Sequence, residues 1–222
     1  MDIIYKYFLY FIIYSFIGWL MEVICKLFEY KRFINRGFLI GPICPIYGFG
    51  VLFIILLIGN DRNDILSVFL KAILICSVLE YLTSYFMEKL FKARWWDYSD
   101  KLFNINGRIC LQTMLPFGIL GTLVIYIIHP LIVKFIALFN PILIMIIAII
   151  LFILYLTDMI ISFNVMNKIK NQIKNQKTDN TEKIRKIVLK WIDSNSALYR
   201  HIKDAYPKFK VSKVINKIKK MV

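Results

Sequence analysis

Apolar residues in this chain do not alternate with polar ones at the period of a soluble helix or strand; they come in long unbroken blocks. A helix crossing the hydrocarbon core, about 30 Å thick, needs about 20 consecutive apolar residues. Lipid offers nothing to hydrogen-bond an open backbone, so such blocks must close their hydrogen bonds internally. They fit spans over residues 3–25, 38–59, 65–91, 109–128 and 141–163. The fold class read from them is all-α: a polytopic membrane protein with about five transmembrane helices. Hydrophobic residues make up 59% of the 222, against about 45–50% in soluble domains.

The span ends carry their own signals. The second block stops before Asn60-Asp61-Arg62-Asn63-Asp64. The third, at 1.5 Å per residue about 40 Å long, exceeds the hydrocarbon core and must tilt or project into water. The fourth is expected to stop at His129-Pro130, because a residue before proline disfavours helix. Residues 131–139 are then too short to cross and are expected at the interface, and Asn140-Pro141 opens the last span with a proline suited to a first turn. The first block carries Glu22 and lacks a small-residue cleavage site, so it reads as a span and not as a cleaved signal.

The formal charge of +15 raises nucleic acid as a partner, but its distribution argues against one. Lys26, Lys31, Arg32 and Arg36 follow span one; Lys89, Lys92, Arg94, Lys101 and Arg108 follow span three; the C-terminal tail is basic throughout. The loops after spans two and four are poor in cations, holding Arg62 and Lys134. Rich and poor loops alternate, which places the N-terminus outside and the tail in the cytoplasm. The chain divides into a transmembrane domain, 1–165, and a basic cytoplasmic tail, 166–222. In the tail Ile184, Ile187, Val188, Trp191 and Ile192 recur at helical spacing, with Asn180 or Thr181 as cap. A second amphipathic stretch holds Phe209, Val214, Ile215 and Ile218. Such helices fit anionic lipid headgroups; docking of a soluble partner is the alternative. The four cysteines, Cys25, Cys44, Cys76 and Cys110, form no C-x-x-C pair and read as small buried hydrophobes. No metal or cofactor signature stands out.

Acids within apolar spans are functional candidates, because burying them unpaired is costly. Glu80 falls near the middle of span three, and Ser77, Ser84 and Glu88 share its helical face. Glu22 either pairs with Lys26 one turn on or points inward. Asp158 lies at similar depth in the last span. The segment from Gly41, with Pro42, Pro45 and Gly48, cannot make a regular helix. It reads either as a kinked entrance that lets helices pack closely or as a helix entry whose free N–H groups make an anion site. The loop after span three combines Trp95, Trp96 and Tyr98, residues of an interfacial belt, with Arg94 and Arg108, bidentate donors for phosphate or carboxylate. Asp97 lies between them, and Asn106-Gly107 marks a tight turn. Glu22, Arg36, Glu80, Glu88, Arg94, Asp97, Asn106 and Arg108 all map to one side of the membrane and form the candidate substrate path.

The strings Phe16-Ile17-Gly18-Trp19 through Glu22, Asn35-Arg36-Gly37-Phe38-Leu39-Ile40-Gly41-Pro42 through Gly48, Leu79-Glu80-Tyr81, Arg94-Trp95-Trp96-Asp97-Tyr98 and Asn104-Ile105-Asn106-Gly107-Arg108-Ile109-Cys110 resemble the bacterial membrane family of type IV ABC-transporter permeases, CmpB-like. The resemblance covers about residues 1 to 165. It implies a permease-like subunit of a bacterial plasma membrane. The sequence holds no G-x-x-x-x-G-K-[ST] loop, so ATP hydrolysis by the P-loop route would fall to a separate ATPase chain. Five spans are few for a transporter, which points to a homo-oligomer or a heteromeric partner. Two other readings stand beside it: a non-catalytic membrane scaffold or regulator acting through the tail, and an enzyme acting on a lipid or phosphate headgroup. The enzyme reading lacks a nucleophile–base pair, a zinc motif or a usefully placed histidine.

Overall fold

Side-chain caps fix where two of the long helices begin. Asp64 accepts hydrogen bonds from the backbone N–H groups of Leu66 (3.1 Å) and Ser67 (2.9 Å) and starts α3, Ile65–Phe91. Asn140 accepts from Ile142 N–H (2.9 Å), and Pro141 follows at the first helical position of α6, Pro141–Lys174. The computed structural model describes residues 2–59, 62, 64–176, 180–206 and 209–211. Val214, Ile215 and Ile218 of the second amphipathic stretch, and Asn60, Asp61 and Asn63 of the polar turn, lie outside the described residues.

The remaining helices are α1 (Asp2–Tyr30), α2 (Pro45–Ile58), α4 (Leu111–Leu123), α5 (His129–Ile136), α7 (Thr181–Asp193) and α8 (Ala197–Ala205). The protein is all-α and polytopic. Among the described residues four helical stretches are long and apolar enough to cross a membrane: Ile3–Tyr30, Ile65–Phe91, Leu111–Ile136 and Pro141–Lys174. The second expected span is shorter than its apolar block. Its helix covers 14 residues, Pro45–Ile58, which at 1.5 Å per residue is about 21 Å. Pro42 and Pro45 are the reason: neither can donate to a preceding turn, so residues 38–44 run as irregular chain into the helix.

The expected break at His129-Pro130 does not occur. A π-helical turn, Val124–Ile128, joins α4 to α5, with His129 N–H bonding to Val124 O. Shifting the ladder by one residue just before Pro130 accommodates the proline's missing donor, so residues 131–136 continue the fourth span. The Tyr126 hydroxyl in this turn donates to Arg62 O (2.6 Å) and ties it to the α2–α3 connection. Two further helices outrun their expected ends: α1 continues past residue 25 to Tyr30, and α6 continues past 163 to Lys174.

Helix α1 packs chiefly on α2, and α3 on α4. The α1–α2 approach is close: a Cβ at Gly48 would stand 2.2 Å from Ser15 Oγ and 2.6 Å from Phe11 O. Only a residue without a side chain fits there, the packing used where helices meet in lipid. At the end of the bundle away from the tail, Leu9, Tyr10, Tyr14, Ile55, Val124, Ile136, Ile144 and Ala148 form one apolar cluster. The Tyr14 hydroxyl meets His129 Nδ1 within it (3.1 Å).

The tail folds back onto the bundle. Ile184, Val188 and Ile192 of α7 are buried with Val165, Met166, Ile169 and Ile173 of α6, and with Ile202 and Phe209. The apolar stripe expected to meet lipid is thus occupied by protein, because α6 carries a matching stripe beyond the span. Residues Lys210–Val211 pair antiparallel with Ala93–Arg94.

Candidate functional site

The irregular entrance to α2 is held by a carboxylate from another span. Asp158 on α6 accepts from the backbone N–H groups of Ile40 (3.0 Å) and Gly41 (2.9 Å) and from the Ser162 hydroxyl (3.1 Å). These backbone donors lie in the irregular chain ahead of α2 and are not the N–H groups of its first turn, and the anion they meet is the protein's own side chain. Asp158 also answers how polar backbone survives at this depth: its donors are satisfied inside the protein.

Glu22 points inward. It accepts from the Tyr47 hydroxyl (2.7 Å) and from Arg36 Nε (3.3 Å), while Lys26 pairs instead with Glu29. Arg36 also donates to Ala205 O at the end of α8 and lies over the Tyr206 ring. The tail therefore touches the same guanidinium that faces Glu22.

On α3, Ser84 and Glu88 are drawn into the loop that follows. Arg108 donates to Glu88 (2.7 Å) and Ser84 (3.1 Å), and lies over the rings of Tyr81 and Tyr85. Arg94 donates to Glu88 (3.1 Å) and to Asn106 O (3.1 Å). The Asn106 side-chain amide donates to the Tyr81 hydroxyl (2.9 Å), and Trp96 Nε1 donates to Arg108 O (3.1 Å). Gly107 sits at φ +66°, and a Cβ there would come within 2.4 Å of both Asp97 Oδ1 and Ser99 Oγ. The turn is thus closed around a glycine in the left-handed region. Asp97 takes Lys210 from the tail and the Ser99 hydroxyl. Burial raises its carboxyl, but these donors outweigh that and hold it down at about 2. Burial and the nearby Glu80 push the Tyr98 phenol up, so it stays protonated and can donate.

Glu80 differs from the other acids. It is 7% exposed. Tyr98 donates to its Oε1 (3.3 Å), and its Oε2 has no hydrogen-bond partner among the described residues. Thr113 lies beside it but spends its hydroxyl proton on Cys110 O (2.9 Å).

A cavity of about 1020 Å³ joins these groups. Glu22, Arg36, Glu80 and Asp97 line it, together with Pro45, Tyr47, Tyr98 and Tyr206. Its walls are apolar side chains of α2, α3 and α6, including the exposed residues Phe49, Phe53, Leu82 and Phe86. Glu88, Arg94, Asn106 and Arg108 are not among its lining residues; they brace the loop that carries Trp95, Trp96, Asp97 and Tyr98. The expected set therefore divides into a lining group and a supporting group. Tyr47, which orients Glu22, is one of many tyrosines in the spans and was not singled out by the sequence; Tyr98, which orients Glu80, was read from the sequence only as part of an interfacial belt. Asp158 had a signal, as an acid within an apolar block.

The cysteines are all free; Cys44 and Cys110 are buried, Cys76 half-buried and Cys25 exposed, the last unlike its expected place in a core. No group of three or more His, Cys, Asp or Glu side chains could hold a metal among the described residues.

One family model matches the chain, over residues 9–163, and its description reads "Putative ABC-transporter type IV". No curated protein and no solved structure matches.

Proposed function

The chain belongs to the family described as "Putative ABC-transporter type IV", and from that premise we propose that it is the membrane-spanning subunit of a bacterial plasma-membrane transporter that works with a separate ATPase. It is a membrane protein of a transporter-type family, with four long apolar helices and a shorter fifth among the described residues. The observation that carries the finer reading is the cavity between α1, α2, α3 and α6, which Glu80 lines, a buried acid with one oxygen that has no hydrogen-bond partner among the described residues. A buried acid in a span is expensive to keep and tends to mark a substrate or ion pathway. Glu22, Arg36 and Asp97 would form the polar end of that pathway, and the positive-inside pattern puts that end at the cytoplasmic face. Glu88, Arg94, Asn106 and Arg108 would hold the loop that closes it. The segment containing Gly41, Pro42, Pro45 and Gly48 would shape the entrance.

Two measurements test this reading. Purification from a native membrane in mild detergent should recover a P-loop ATPase in stoichiometric amount; a homo-oligomer recovered alone would sink the ATP-coupled mechanism. Glu80→Gln should abolish flux through the reconstituted complex while the protein still inserts and elutes as the wild type. Undiminished flux would remove Glu80 from the pathway.

A further inference from the structure

The charge pattern of the cavity narrows what could occupy it, an argument that rests on the cavity being the binding region. Each of the other four acids lining it has a basic partner. Glu22 pairs with Arg36 and Glu29 with Lys26. Asp97 pairs with Lys210, and Asp204 with Arg32 at 3.9 Å. Glu80 has no cation within pairing distance among the described residues, and one of its oxygens lacks any hydrogen bond. A buried carboxyl in that state is costly to ionise without a partner. It gains most from a positive charge brought in from outside.

The walls say what the rest of the ligand is. Phe49, Phe53, Phe86, Trp95, Trp96 and Tyr155 face the same space. Aromatic faces attract cations, most strongly where water is displaced, and their apolar area favours a bulky hydrophobic body over a hydrated ion. The volume, about 1020 Å³, is at the upper end of pockets for drug-sized molecules, about 300–1,000 Å³. Phe49, Phe53, Leu82 and Phe86 of these walls are exposed side chains of apolar helices, so the cavity is bordered by apolar surface that a hydrophobic ligand can cover.

We propose that the cavity binds a lipophilic organic cation, with its positive charge at Glu80 and its hydrophobic body against the aromatic walls. Charge and bulk are both required. A small inorganic cation would leave the walls unfilled and would lose more hydration than a single carboxylate and a phenol return. A lipophilic anion would meet Glu80 head on.

The test uses two probes of nearly one size and opposite charge on the purified full-length protein in detergent. Tetraphenylphosphonium should bind saturably, read by equilibrium dialysis of the labelled ion and by quenching of tryptophan fluorescence. Tetraphenylborate should not displace it. In Glu80→Gln the affinity should fall by about tenfold or more, as expected when a close charge partner is neutralised. Asp193→Asn, in the tail and outside the cavity, should bind as the wild type. Absence of saturable phosphonium binding, equal binding of the two ions, or unchanged affinity in a well-behaved Glu80→Gln would each overturn the proposal. If Glu80→Gln does not elute as the wild type, the selectivity of the wild-type protein between the two ions decides. Binding without ATP-driven flux would leave this ligand class standing and refute the transport reading; flux of another solute without phosphonium binding would do the reverse.

Discussion

Glu88 accepts from two guanidinium groups, and the consequence of breaking that arrangement follows from its position. The Arg108 and Glu88 side chains are 10% and 20% exposed, so neither can turn fully to water when its partner is lost. Removing one member of such a pair leaves a largely buried charge behind, the expensive half of the exchange. Arg94 remains to share Glu88, which softens the effect. Arg108→Gln is expected to lower stability by about 2 kcal/mol, measured by unfolding in detergent. A change near zero would mean that solvent already screens the pair. Asp158 is argued the same way. Asp158→Ala would orphan two backbone N–H groups, at about 1–3 kcal/mol each when buried, and should loosen residues 38–44. Cys44 is the buried last residue of that segment, so its labelling by a maleimide, in a variant retaining Cys44 alone, should become faster. An unchanged rate would show that other contacts hold the entrance.

Among the elements, α8 is where pH enters. His201 lies on it and meets Leu39 O through Nε2 (3.0 Å). Burial lowers the pKa of this imidazole, and its contact with Leu39 O and the nearby Asp158 and Asp204 only partly offset that. The docked helix thus resists protonation more than a released one. The sign follows: docking is at full strength above the ordinary value of 6.5. It weakens as pH falls below that value toward the lowered one in the docked state. Hydrogen exchange over residues 197–206 should therefore be faster at pH 5.5 than at pH 7.5, and His201→Gln should abolish most of the difference. Equal protection at both values would refute the argument. The α1–α2 pair has a simpler vulnerability. Gly48→Leu would force four heavy atoms into a space already occupied by Ser15 and Phe11. It should cost about 3 kcal/mol or more and separate the two helices, visible as a lost disulfide cross-link between cysteines placed across their contact.

For the molecule as a whole, the tail is structural as well as basic. It covers Val165, Met166, Ile169 and Ile173 of α6, and Lys210 reaches Asp97 in the loop that borders the cavity. Burying side chains of this size contributes about 1.5–3 kcal/mol each. Truncation before residue 177 is expected to lower the melting temperature in detergent and promote association through the bared face of α6. A truncated protein as stable and monodisperse as the full chain would show that the tail is an independent attachment. Much of this whole was legible beforehand. The apolar blocks gave the all-α membrane class, the extent of α3 and the start of α6, and the spacing of Ile184, Val188 and Ile192 gave α7. The partners of Glu22, Arg36 and Asp158 were not legible, because each lies far along the chain from the residue it meets.

Membrane insertion, the span ends set by caps, and the amphipathic stripe of α7 are properties of local sequence, since bilayer thickness and hydrogen-bond closure act on each segment separately. Asp64 and Asn140 cap their helices through neighbours two or three residues away, and no other part of the fold is needed. Tertiary structure decided the rest. It determined that the fourth span continues through Pro130, because the π turn there is fixed by packing against Tyr14 and Arg62. It placed α7 on α6 and not on lipid, because a matching apolar face was within reach. And among the described residues it left Glu80 as the acid of the cavity without a cation, because pairing depends on which side chains distant segments bring within a few ångströms, and sequence spacing does not encode that distance.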